Sequence, residues 1–183
     1  MEQSTTSAAT KWVLDATHSE VNFKVKHLVI STVTGTFKSF EGSFESEQDD
    51  FTNAKIHFEL DVNSIDTNQE QRNAHLKSAD FFDAEQYPKI RFDSTSFIKK
   101  DDEEYELIGD LIIRDITKSV KIEVEYGGVA TDFYGNLKAG FELKGKINRK
   151  DFGLIWNGIT EAGAIVVGED IKLDINVQFA KQV

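Results

Sequence analysis

Ile171-Lys172-Leu173-Asp174-Ile175-Asn176-Val177-Gln178-Phe179 alternates apolar and polar residues without interruption. A period of two marks an extended strand, because successive side chains there point to opposite faces. One face of this strand is aliphatic or aromatic and the other carries charges and amides, so it is half-buried and antiparallel in character. The pattern recurs upstream. Ile56, Phe58, Leu60 and Val62 alternate with Lys55, His57, Glu59 and Asp61, and Val120, Ile122, Val124 and Tyr126 with Lys121, Glu123 and Glu125. Leu137, Ala139, Phe141, Leu143, Gly145 and Ile147 alternate with Lys138, Glu142, Lys144 and Lys146. Near Leu107, Gly109, Leu111 and Ile113 the opposite face is only partly polar.

Turn chemistry separates these segments. Gly127-Gly128, Gly135-Asn136 and the acidic runs Gln48–Asp50 and Asp101–Glu104 are the expected hairpin turns and solvated loop tips, since glycine reaches positive φ and Asp or Asn bonds the local backbone. One stretch breaks the period. Asn68 to Lys77 is rich in helix formers, with Asn68 as N-cap, and predicts one short helix. Pro88 then stands at the start of the strand holding Ile90 and Phe92. The first hairpin changes phase: Val21, Phe23 and Val25 share a face, as do Val33, Gly35 and Phe37, but Phe40, Gly42 and Phe44 fall on the other parity. A bulge, a bend, or a helical turn around Leu28 to Thr32 is needed to restore the facing.

About eight strands with one apolar face, and one short helix to cover them, must stack as two sheets or close into a barrel. Eight-stranded closure leaves an interior that side chains fill or that holds one small ligand. Gly35, Gly109 and Gly145 fall on the apolar face, where they either remove side-chain volume from the interior or mark bulges.

The 183 residues fit one domain, residues 11–183, preceded by a small, polar and flexible segment, residues 1–10. No window approaches the length of an apolar membrane span, so no stable membrane insertion is expected. The chain has no cysteine, which removes disulfides, thiol catalysis and cysteine zinc sites. Lys plus Arg number 21 against 32 Asp plus Glu, a net charge of −11, which argues against nucleic-acid binding and loose adsorption to anionic lipid. The N-terminus lacks a basic and then apolar leader, so the chain as written is expected in the cytoplasm, or in the periplasm if it is a processed export form.

His18, His27, His57 and His75 have no metal-site spacing, and no nucleophile elbow or phosphate loop is present. No metal, no catalytic residue and no enzyme activity is expected. Some polar residues within or beside strands stand out. Arg149 and Asp151, of equal parity just past a strand, are either a structural salt bridge or cap at a barrel rim or contacts to a ligand head group. The same alternatives hold for Lys77 and Asp80.

Several stretches together resemble the YceI family of lipocalin-like, polyisoprenoid-binding proteins. They begin at Trp12–Ser19 and Val21–Leu28, and include Gly35-Thr36-Phe37 and Phe40-Glu41-Gly42. Arg72–Asp83 is the most specific, followed by Tyr87–Phe92, Gly109–Arg114 and Asn148–Gly153. Asp115 stands where the family usually has glycine, and Ser119 where it often has proline. The resemblance implies an all-β, eight-stranded antiparallel lipocalin-like barrel with one short helix, about residues 68–77. It also implies an apolar pocket for a long isoprenoid or related lipid, and a possible homodimer.

With that resemblance, the lumen candidates are Phe23, Val25 and Phe37 from the first hairpin, Phe58, Leu60 and Phe92 from the next strands, and Leu111, Ile113, Ile122, Phe141 and Leu143 from the later ones. His27, His75, Arg149 and Asp151 are the polar candidates. The expected partner is a small lipid with no further cofactor. A net charge of −11 favours a neutral head, a quinone, prenol or fatty amide, over a pyrophosphate. The alternative is an interaction or stress-response domain with a filled core.

Overall fold

The computed structural model describes residues 8–158 and 166–183. Its strands are β1 (Thr10–Leu14), β2 (Glu20–His27), β3 (Ser31–Phe37), β4 (Phe40–Ser46), β5 (Lys55–Asp61), β6 (Ile65–Asp66), β7 (Lys89–Lys99), β8 (Glu104–Ile113), β9 (Ile116–Thr131), β10 (Leu137–Asn148) and β11 (Val167–Lys181). One helix, α1 (Glu70–Lys77), lies between β6 and β7. All strands join one antiparallel sheet, and β1 pairs with both β4 and β11, so the sheet closes on itself.

The eleven segments behave as eight long strands, because β1/β2, β3/β4 and β5/β6 are each one strand bent in the middle. Each bend has a cause. Between β1 and β2, Asp15 caps the 3-10 turn Ala16–His18 by accepting from the Thr17 amide at 3.1 Å and its hydroxyl at 2.7 Å. The other Asp15 oxygen takes Lys138 Nζ of β10 at 2.5 Å and lies 2.8 Å from His18 Nδ1. Lys138 holds the Asp15 carboxyl well below the usual carboxylate range. The bend at Lys38-Ser39 carries the phase change expected from the sequence: Phe37 and Phe44, of opposite parity, both face inward. No helical turn forms at Leu28–Thr32. A tight loop with Leu28 at φ 53° and Val29 at φ 66° joins β2 to β3, and Val25 stays opposite Val33.

Other local expectations need correction. Gly127-Gly128 is not a turn but a bulge within β9, where Gly128 opposes Gly140 and Tyr126 opposes Phe141. The turn comes after Thr131, at Asp132–Asn136. Asn68 is not the helix N-cap. It sits at φ 62°, Gln69 takes the cap position without a side-chain bond, and α1 starts at Glu70. Its start is fixed instead from inside. Asn73 Oδ1 accepts from the Thr67 amide at 2.8 Å and hydroxyl at 2.6 Å, while Arg72 donates to the Thr67 hydroxyl and carbonyl. Residues 1–7 of the expected flexible segment lie outside the described residues, and Thr10 already pairs with Ser46.

Gly35 and Gly109 do not leave empty space. A Cβ at Gly35 would lie 2.2 Å from Phe23 Cζ, and one at Gly109 would lie 2.3 Å from Phe92 Cζ and 2.6 Å from the Asp93 carbonyl oxygen. The ring on the neighbouring strand lies over each glycine and takes the volume its side chain would fill. A bulge at Ser94–Ser96 faces Gly109, so there the interior and bulge readings coincide. Gly145 differs: a Cβ there meets Ile122 at 3.5 Å and Leu173 at 3.7 Å, ordinary contacts.

Candidate functional site: the barrel lumen

The inward face of the sheet has two unlike ends. Around β1 it is packed with aromatic rings. Phe44 stacks on Trp12 at 5.7 Å and meets Phe179 at 4.9 Å, Phe51 at 5.5 Å and Phe141 at 6.1 Å. Tyr126 adds contacts to Phe51 and Phe141. Edge-to-face pairs of this kind contribute about 0.5 to 1.5 kcal/mol each beyond area burial. Tyr105 donates to the Asp50 carbonyl at the same end, and burial pushes its phenol pKa up. This end is shut.

Toward the other end the lumen opens into a cavity of about 220 Å³. All eleven apolar residues expected in the lumen line it: Phe23, Val25 and Phe37; Phe58, Leu60 and Phe92; Leu111, Ile113, Ile122, Phe141 and Leu143. Other lining residues come from strands whose alternation was clear, Ile171, Leu173 and Ile175 of β11 and Ile147 of β10. Leu76, Phe81, Phe82 and Leu154 were not foreseen, because they lie outside any period-two segment. The only signal was the Phe81-Phe82 pair behind a short helix. Those four cap the far end: Phe82 meets Phe37 at 6.2 Å, and Phe81 meets Trp156 at 5.3 Å.

The polar candidates divide. Arg149 is 2% exposed and borders the cavity. Its guanidinium donates to the carbonyls of Gly168 at 2.8 Å, Leu154 at 2.5 Å, Trp156 at 2.9 Å and Val167 at 3.3 Å. It is therefore a clasp, tying the chain after β10 to the start of β11. Burial pushes its pKa down. Asp151 is exposed on the 3-10 turn Arg149–Phe152, and no Arg149–Asp151 pair forms, because that turn sends one side chain inward and the other outward. His75 does not line the cavity. Its Nε2 lies 2.9 Å from Asp80 Oδ2, and its ring meets Trp156 edge-on at 4.6 Å, joining α1 to the Arg149 segment. His27 ends β2, half-buried and away from the cavity lining. Lys77 ends α1, and neither it nor Asp80 borders the cavity.

Arg114 joins this end too. It sits at φ 58° in the two-residue turn between β8 and β9, donates to the Gly153 carbonyl at 3.3 Å and lies 5.8 Å over the Tyr87 ring. Among the described residues no cluster of three or more His, Cys, Asp or Glu side chains is placed to hold a metal. No helix among them is long and apolar enough to cross a membrane.

This geometry has clear relatives. A family model described as a YceI-like domain matches residues 12–179. The chain belongs to the YceI family. Protein YceI of Escherichia coli O157:H7 is 38% identical over 165 residues, covering 90% of this chain and 83% of that protein. The Campylobacter jejuni YceI crystal structure superposes with a TM-score of 0.73 at 33% identity, covering 86% of this chain and 90% of that one. A polyisoprenoid binding domain from Saccharophagus degradans shares the fold, with a TM-score of 0.67 at 14% identity, covering 93% of this chain and 98% of that one.

Proposed function

We propose that this barrel binds a long isoprenoid or related lipid within its lumen and serves as a non-enzymatic carrier or store. The observation that carries the reading is the cavity itself, about 220 Å³ bordered along the barrel axis by aliphatic and aromatic side chains. A void of that size lined by Leu, Ile and Phe gives water too few polar partners to be held. Each methylene moved into it from water contributes about 0.8 kcal/mol, before ordering costs are subtracted. Ligand sites for drug-sized molecules commonly span roughly 300 to 1,000 Å³. A smaller lumen suits a slender chain better than a broad ring system. The Saccharophagus degradans polyisoprenoid binding domain, which shares the fold, agrees with this ligand class.

Arg149 supports a neutral head group. A phosphate takes arginine best through a free two-pronged fork, but here both terminal nitrogens and Nε already donate to backbone carbonyls. With a net charge of −11 as well, a neutral head such as a quinone, prenol or fatty amide fits better.

Native mass spectrometry of the purified protein, followed by organic extraction, tests both parts. The expected result is a lipid-bound species whose extract holds neutral prenyl or long-chain compounds. Recovery of phosphorylated prenols alone overturns the neutral head. A species that stays empty after incubation with prenols and quinones overturns the carrier and favours an interaction domain.

A further inference from the structure

We propose that the barrel docks on anionic lipid bilayers through the tip of the β2–β3 hairpin and the lysine face beside it. The inference deepens the carrier reading by naming the surface from which the lumen exchanges its lipid. Two independent features coincide at the capped end. The first is apolar. Val29 is 75% exposed and Ile30 85%, at a tip where Leu28 and Val29 both hold positive φ. A β-branched residue is strained in that conformation, and two exposed aliphatics in water gain nothing from it. Ile155, 69% exposed, lies between Leu154 and Trp156, whose carbonyls the Arg149 clasp holds. Leu28 bonds Val166 next to the clasped Val167, so the two apolar points flank the same end of the barrel.

The second feature is charge. Lys24 of β2 stands directly opposite Lys172 of β11, which stands opposite Lys146 of β10, and all three are exposed. Lys26 and Lys150 extend this face toward the tip. Like charges directly opposite on neighbouring strands are destabilising. Glu169 pairs with Lys150 at 2.8 Å and Asp170 with Lys146 at 3.7 Å. Among the described residues Lys24, Lys26 and Lys172 have no carboxylate within 4.0 Å. Even with exposed Asp151 beside Lys150 and Asp174 two residues from Lys172 counted, lysines outnumber carboxylates on this face, which in a protein of net charge −11 is the opposite of the average surface. It complements the negative potential of an anionic leaflet, while the aliphatic tip enters the boundary between head groups and acyl chains. The overall acidity argues against adsorption in any other orientation, so docking orients the cap toward the lipid.

The wall beside the tip also fits exchange. On its outer side β3 pairs with β6 only at Thr36 and Phe37, so Ser31 to Gly35 has no strand neighbour there among the described residues.

Co-sedimentation with vesicles of phosphatidylcholine alone, and of phosphatidylcholine mixed equally with phosphatidylglycerol, tests the proposal. The protein is expected on the mixed vesicles and to be released as salt rises, because charge interactions are screened within about 10 Å at 0.1 M and 3 Å at 1 M. The K24E/K172E variant should lose about fivefold or more per lysine changed. Val29→Asn should weaken binding while leaving the fold intact, since Asn accepts positive φ. Phe133→Ser, in the exposed β9–β10 tip at the other end, should change nothing. Equal binding by wild type and K24E/K172E overturns the proposal. So does loss of binding in Phe133→Ser but not in Val29→Asn. A tip that instead seals a second copy, seen as a dimer lost in Val29→Asn with no vesicle binding by wild type, also overturns it. Prenol uptake from detergent micelles separates the two claims. If wild type binds vesicles but takes up nothing from micelles, the carrier reading fails and docking stands; uptake without vesicle binding means the reverse.

Discussion

The aromatic floor and the capped cavity face each other inside one barrel and are built by opposite means. The floor uses large rings in mutual contact, Trp12, Phe44, Phe51, Phe141 and Phe179, the last four of which form the closed end of the cavity. The cavity half uses aliphatics and rings folded flat over glycines, as Phe23 lies over Gly35 and Phe92 over Gly109. Its cap comes from irregular chain, held by the Arg149 carbonyl clasp and the His75–Trp156 contact. The lesson is a division of labour: one end fixes the strand register and closure, and the other keeps room. Mutations at the floor should therefore act on stability, and mutations in the cavity half on ligand capacity.

Removing the clasp gives the largest effect. Arg149→Ala leaves the buried Leu154 carbonyl and the half-buried Trp156 and Gly168 carbonyls without this donor, and urea denaturation should show a loss of about 3 to 5 kcal/mol. Arg149→Lys should recover little of it, since an ammonium cannot span four carbonyls in a planar fork. A small loss in Arg149→Ala would mean that the cap holds without its clasp. Phe44→Ala comes next, with about 3 to 5 kcal/mol expected from cavity formation. Phe44 also borders the cavity, so the truncation lengthens the lumen at its closed end and lipid binding per folded molecule should not fall; its collapse would erase the distinction between the two ends.

Gly109→Val and Gly145→Val sharpen the comparison within the cavity half. Valine at position 109 meets the Phe92 ring and the Asp93 carbonyl, so about 1 to 3 kcal/mol of overpacking should appear in the melting curve. At position 145 the neighbours lie at ordinary contact distance, and the melting curve should hardly move. The smallest effect comes from acid. Lys38 and the Asn68 amide hold the Asp66 carboxyl down to about 2, below the usual carboxylate range. A group whose folded pKa is depressed contributes stability above its unfolded pKa and loses it as pH falls through the folded one. The Asp66 and Asp15 contributions are thus present above about pH 4 and fade below it. Circular dichroism during acid titration should show the Asp15→Asn variant less stable at neutral pH and less sensitive to acid than wild type.

Closure and lumen facing were legible because they rest on a repeated period of two: a face carrying Ile56, Phe58 and Leu60, or Leu143 and Ile147, has only one place to go once a single helix is available. The glycine positions were legible but not their meaning, since the rings that cover Gly35 and Gly109 come from other strands. The Gly127-Gly128 bulge was hidden for a related reason, as glycine pairs serve turns and bulges alike. The cap was least legible. Leu76, Phe81, Phe82 and Leu154 carry no periodicity, and Arg149 finds its acceptors among carbonyls, which every residue has. The lysine row was invisible in the net charge, because registry across β2, β11 and β10 assembles it.

The most direct measurement is a binding titration of a fluorescent long-chain prenol against wild type and Gly145→Val, with melting curves taken on the same samples. Valine there meets the Ile122 and Leu173 side chains, both of which border the cavity, and crowds them toward the lumen, so affinity should fall about tenfold or more while the melting temperature stays put. A folded Gly145→Val protein that binds the prenol as tightly as wild type would place the lipid somewhere other than the barrel axis and contradict the account.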